Sequence, residues 1–81
     1  MKTIIYAASD RHGYRLGYLA TIKQTGNDHI VVIGEYWKPT KYDNPVNINT
    51  RAARFPTYRA ARQWSHQQAA RAGYPQILKE Y

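Results

Sequence analysis

The residues best suited by type and spacing to chemistry stand near the N-terminus, where Ser9, Asp10, Arg11 and His12 run together before Gly13. An imidazole acting as general base beside a guanidinium has the parts to cleave RNA through the substrate's own 2′-hydroxyl. The same four residues are also ordinary turn composition, closed by a glycine. The remaining histidines, His29 and His66, show no metal-ligand spacing, and the chain has no cysteine. No zinc site, other metal site or cofactor is expected on these grounds. A phosphate-binding loop of the Gly-x-x-x-x-Gly-Lys kind is also missing. The chain therefore reads as a binding protein rather than an enzyme.

A second set of residues is more numerous. Arg51, Arg54, Arg59 and Arg62 fall within twelve positions, with Tyr58 among them. Guanidinium groups match phosphate oxygens in pairs and keep their charge at every physiological pH. Twelve Lys and Arg against five Asp and Glu give a formal charge of +7. Residues 44–79 carry six basic groups and no acidic one. Positive potential concentrated in this way gathers polyanions, of which nucleic acid is the commonest. Anionic protein surfaces come next.

The 81 residues that carry these groups suffice for one domain, spanning 1–81. No signal peptide or membrane-length apolar run is visible, so a soluble, cytoplasmic protein is expected. The absence of cysteine suits a reducing compartment.

Lys2 to Ala8 is rich in β-branched and aromatic residues and reads as a first strand. From Tyr14 the chain alternates: Tyr14, Leu16, Tyr18, Ala20 and Ile22 on one face, Arg15, Gly17, Leu19, Thr21 and Lys23 on the other. That period predicts a half-buried antiparallel strand. Thr25-Gly26-Asn27-Asp28 supplies a turn, and His29 to Trp37 a third strand. Residues 38–56, with three prolines and several Asn and Asp, read as a long connection, or as one holding a short edge strand at Val46 and Ile48.

The helix is the best-marked element. Thr57 is placed as N-cap, Tyr58 to Ala72 lacks Gly and Pro, and Gly73 and Pro75 end it. At 100° per residue, Ala61, Trp64, Gln68 and Ala72 share an inner face and Arg59, Arg62 and His66 the opposite one. Tyr6, Tyr18, Phe55 and Trp64 are expected in the core, with Tyr42 and Tyr81 exposed. The fold class read from these elements is α+β: a three-stranded antiparallel sheet with one C-terminal helix packed on a face, β-β-β-α.

Two basic surfaces follow. One is the helix side, with Arg51, Arg54, Arg59 and Arg62. The other is the sheet face away from the helix, with Arg15, Thr21 and Lys23, extended by Lys38 and Lys41 beyond Trp37. Antiparallel ribbons can enter a DNA major groove. The two surfaces lie on opposite sides of such a fold, and one duplex could hardly contact both.

Arg11-His-Gly-Tyr-Arg, the hairpin, and Phe55-Pro-Thr-Tyr-Arg-Ala-Ala-Arg-Gln-Trp together resemble the arm-type, AP2-like DNA-binding domain of phage-class tyrosine integrases. Phe55, Thr57, Ala61 and Trp64 carry the match. The resemblance implies three strands and a helix, with Arg15, Thr21 and Lys23 reading DNA from the sheet. The leading expectation is a non-catalytic nucleic-acid-binding module, with DNA favoured over RNA. A phage- or mobile-element-type protein that binds and inhibits an acidic host protein is the alternative, and a toxin-like ribonuclease the third. Either a monomer or a homodimer is compatible with the sequence.

Overall fold

The computed structural model describes residues 1–7, 16–37 and 46–81. Five strands and one helix follow in the order β1 (Lys2–Ala7), β2 (Leu16–Thr25), β3 (Asp28–Trp37), β4 (Val46–Phe55), α1 (Tyr58–Arg71) and β5 (Gln76–Glu80). The strands make one antiparallel sheet in the order β4-β3-β2-β1-β5.

The three-stranded β-β-β-α expectation is therefore corrected to a five-stranded sheet in a β-β-β-β-α-β order. Part of the stretch read as a long connection is β4, a strand of ten residues rather than a short edge strand at two. Its Asn and Arg content disguised it: pairing with β3 from Trp37↔Val46 to His29↔Phe55 supplies the backbone partners that its own residues do not advertise. One extra β4 residue shifts the register where Ile33↔Arg51 gives way to Glu35↔Ile48. Strand β5 has no alternation to betray it. All five of its residues are exposed, and it is held by edge pairing to β1.

Between β2 and β3 the chain turns at Gly26-Asn27, with Thr25 opposite Asp28. Gly26 sits at φ 62°, a conformation that costs other residues energy. Register then sorts side chains by face. Ile4, Tyr6, Tyr18, Ala20, Ile22, Val31 and Ile33 point toward α1 and are buried. The apolar run Ile30 to Ile33 is thus divided: Val31 and Ile33 face the core, whereas Ile30 and Val32 face away from it.

Helix α1 opens on Thr57, whose side-chain oxygen accepts from Ala60 N–H at 3.1 Å. It closes on Gly73 at φ 98°, with Gly73 N–H donating to Ala70 O and Tyr74 N–H to Ala69 O. This is the two-bond Schellman pattern, and it folds Tyr74 back into the core. The inner stripe is Ala61, Ser65, Gln68 and Ala69. It is rotated from the expected one: Ala72 is exposed, and Trp64 lies on the flank against Phe55, with ring centroids 5.5 Å apart. Arg62 and His66 come round to meet polar partners on β5 and β1, and this fixes the rotation. Tyr6 and Tyr18 are buried as expected, Phe55 and Trp64 are half-buried, and Tyr81 is exposed; Tyr42 lies outside the described residues.

Replacing Gly73 with Ala places a Cβ on a positive-φ residue with open space around it. The cost is therefore conformational. A loss of about 1 kcal/mol is expected, read as a lower urea midpoint at unchanged m-value.

Candidate functional site: the arginines and the helix surface

The four clustered arginines separate in space. Arg51 and Arg54 lie on one strand but on opposite faces. Arg51, opposite Ile33, points toward α1, where it donates to Gln68 Oε1 at 2.6 Å. Gln68, a misfit on an otherwise small apolar face, is there to receive this guanidinium. Arg54 points away from the helix and pairs with Asp28 at 3.0 Å. Arg62 forms a fork with Glu80, its Nε at 2.7 Å and its second nitrogen at 2.8 Å from the two carboxylate oxygens. The helix carries no acid of its own, so Arg62's counter-charge comes from β5, eighteen residues on. Arg59 is exposed on the helix.

Of the sheet-face set, Thr21 is half-buried and Lys23 exposed on the side away from α1. Arg15, Lys38 and Lys41 lie outside the described residues, as do Ser9, Asp10, Arg11 and His12. That face is not a basic surface among the described residues. One cross-strand row reads Thr3, Thr21, Val32, Ala52; the next reads Ile5, Leu19, Gly34. Lys23 and Arg54 stand together with Ile30 at the turn end.

Among the described residues, a continuous unpaired polar surface lies on α1. Arg59, Gln63, Gln67 and Arg71 are all exposed, each four residues from the last. They form a stripe that drifts about 40° per step and runs roughly 18 Å along the axis. Gln63, Gln67 and Arg71 were not among the expected site residues. The signal that could have found them is the four-residue spacing, which links Arg59 to Arg71 through two uncharged glutamines. None of the four is ion-paired to a described residue.

Beneath the helix lies a polar network. Tyr6 hydroxyl and His66 Nδ1 are 2.6 Å apart, and their rings meet edge-on. The imidazole's other nitrogen, Nε2, is buried with no partner among the described residues. Burial, aided by the Arg62 charge and opposed by Glu80, pulls His66 below the usual 6.5, so it is neutral at pH 7. Burial also pushes the Tyr6 hydroxyl well above its usual 10.0. Nearby, Tyr18 stacks on Tyr74, whose hydroxyl donates to Glu35 at 2.9 Å. Burial first, then that carboxylate, pushes Tyr74 up to about 12. The Arg62 fork holds Glu80 below the usual carboxylate value.

This network has the chemistry of a structural anchor. Its hydroxyls are harder to ionise than free tyrosine, and its imidazole is committed to Tyr6. Among the described residues, no three His, Cys, Asp or Glu groups converge as a metal site, and no helix is long and apolar enough to cross a membrane. Compared with known protein families, characterised proteins and solved structures, the chain matches none.

The sign of the His66 effect follows from linkage. With its folded pKa below 6.5, the unfolded chain takes up this proton first as pH falls. The stability it contributes is complete above that value and is lost as pH drops through the folded pKa. Tyr6 acts at the other end: its stabilisation is present below pH 10.0 and lost as pH rises toward its higher folded value. The urea midpoint should therefore fall below pH 6.5 in the native chain. His66→Gln, which still offers Tyr6 an acceptor, should flatten that arm and leave the alkaline arm in place.

Proposed function

We propose that the chain is a small, non-catalytic nucleic-acid-binding module whose contact surface is the outer side of α1. The observation that supports this reading is the exposed stripe Arg59, Gln63, Gln67, Arg71 on a helix without a single acidic residue. An exposed helix normally intersperses acids with its arginines to gain pairs four residues apart. This one leaves its end charges unopposed on the helix.

Duplex DNA suits the stripe best. A helix with its side chains is about 10–12 Å across, and the major groove is about 12 Å wide. Glutamine offers one donor and one acceptor together, matching N7 and N6 of adenine, whereas arginine matches guanine or phosphate. Arg59 and Arg71 stand at the two ends of the stripe, where groove-lying helices meet backbone.

The resemblance to arm-type integrase domains would put the reader on the sheet instead. Among the described residues the sheet's outward rows are mostly apolar, whereas the helix presents a continuous polar stripe, and so we place the contact on the helix. The ribonuclease alternative rests on Ser9 to His12 and draws no support from the described residues.

Fluorescence anisotropy against labelled duplex DNA, single-stranded DNA and RNA at two salt concentrations tests the reading. Duplex binding should weaken steeply with salt, because neutralised phosphates release counterions. Arg59→Ala with Arg71→Ala should lower the log–log salt slope by about 2 if both meet phosphate. Gln63→Ala with Gln67→Ala should reduce sequence preference and leave the slope unchanged. Binding that ignores salt, or that survives the double arginine change intact, overturns the proposal.

A further inference from the structure

The sheet face turned away from α1 has the composition of an interior, yet no described element covers it. Ile5, Leu19, Ile30, Val32, Tyr36 and Ala52 project from it, joined by Thr3, Thr21 and Thr50. Val32, on a strand flanked on both sides, is 45% exposed. A valine at that position in a covered sheet would be buried. Gly17 and Gly34 add no side chain, and the Tyr36 ring lies across Gly17, so close that a Cβ there would meet it at 2.5 Å. The tyrosine thus lies along the sheet and fills the space above the glycine.

Charge is kept to the margins. Lys23 and Arg54 sit at the turn end, with Arg54 already neutralised by Asp28, and Lys79 sits beside Ile5 on the β5 edge. The stripe Arg59–Arg71 and the Arg62–Glu80 pair belong to the opposite side. Two chains meeting through this face would keep their helix-borne charges as far apart as the fold allows. That arrangement favours a second copy over a polyanion or an acidic partner, either of which would find few cations among the described residues of this face.

The area is adequate. Three strands of ten residues and two of about half that length cover roughly 650 Å² per face, at about 4.8 Å between strands and 3.3 Å per residue. A pair would bury roughly 1,300 Å² in total, within the range of about 1,200–2,000 Å² typical of stable interfaces. An isologous contact also needs no complementary surface elsewhere on the molecule, only a self-complementary one, and uncharged apolar rows meet that condition.

We infer that the protein forms a two-fold dimer through this sheet face, packed sheet to sheet. The contact is centred on Val32, with Leu19 and Ala52 beside it. The two helices face outward.

Sedimentation equilibrium across a wide concentration range tests this without any nucleic acid. The native chain should weigh twice its 9.4 kDa at high concentration and dissociate on dilution. Val32→Lys, at a site already open to solvent, should return it to one chain mass with unchanged far-ultraviolet circular dichroism. Ala52→Lys, also exposed, serves as the second variant and should do the same. A native chain that stays monomeric throughout overturns the inference and leaves the face to a partner of different sequence. A dimer indifferent to both lysines overturns it too, and points to the β4 or β5 edges. DNA binding by a monomer, or a dimer that binds no DNA, separates this result from the helix reading.

Discussion

Helix α1 meets the sheet through Ala61, Ser65 and Ala69, with Gln68 beside them, and the three short side chains let the helix lie close to the strands beneath it. Ser65 keeps its hydroxyl satisfied within the helix by donating to Ala61 O at 3.0 Å, so it packs as a small residue without leaving a buried polar orphan. Close approach of a 14-residue helix has a consequence for the rest of the inner face. A single helix about 10–12 Å across cannot roof five strands. The margins are finished by long side chains with polar tips: Tyr6 to His66, Tyr74 to Glu35, Arg62 to Glu80, Arg51 to Gln68. Each apolar body covers core and each tip finds a partner. The arginines that looked like a phosphate track are in good part this roofing.

That division explains what could be read in advance and what could not. The helix was legible almost to the residue, because its signals are local: a Thr57 cap, an alanine-rich body, Gly73 and Pro75. Strand β2 was legible because alternation over Tyr18, Ala20 and Ile22 depends on which side is buried and on nothing more distant. Strands β4 and β5 were hidden because an edge strand is made by its neighbour. Arg51 and Arg54 on β4 resemble loop residues until β3 fixes them on opposite faces. Leu78, 64% exposed on β5, shows no buried face at all.

The site was legible only in its charge. Adjacency in sequence suggested that Arg51, Arg54, Arg59 and Arg62 act together, but a strand turns odd and even positions such as Arg51 and Arg54 to opposite faces, and on the helix Arg62 is drawn to Glu80 while Arg59 stays exposed. Their counter-groups, Asp28, Gln68 and Glu80, are distant in the chain, so pairing could not be inferred from local composition. What remained after pairing was a different set, Arg59 and Arg71 with the glutamines between them. A spacing of four on an acid-free helix was its one visible mark.

The molecule that results has two unlike sides. The helix side carries exposed charge and hydrogen-bonding capacity, which suit a hydrated, highly charged ligand. The sheet side carries apolar rows, which gain most from a dry contact. A pair joined through the sheets would set its two helices on opposite outer surfaces, with axes roughly 30 Å apart if each of the three layer spacings is about 10 Å. Helices facing away from each other cannot read adjacent half-sites on one straight duplex. If each helix binds a duplex as proposed, a dimer of this geometry would act as a bridge between two segments rather than as a reader of a palindrome. Bridging needs both surfaces at once. Dimerisation alone would not concentrate charge, and groove binding alone would give no reason for the apolar rows to remain uncovered.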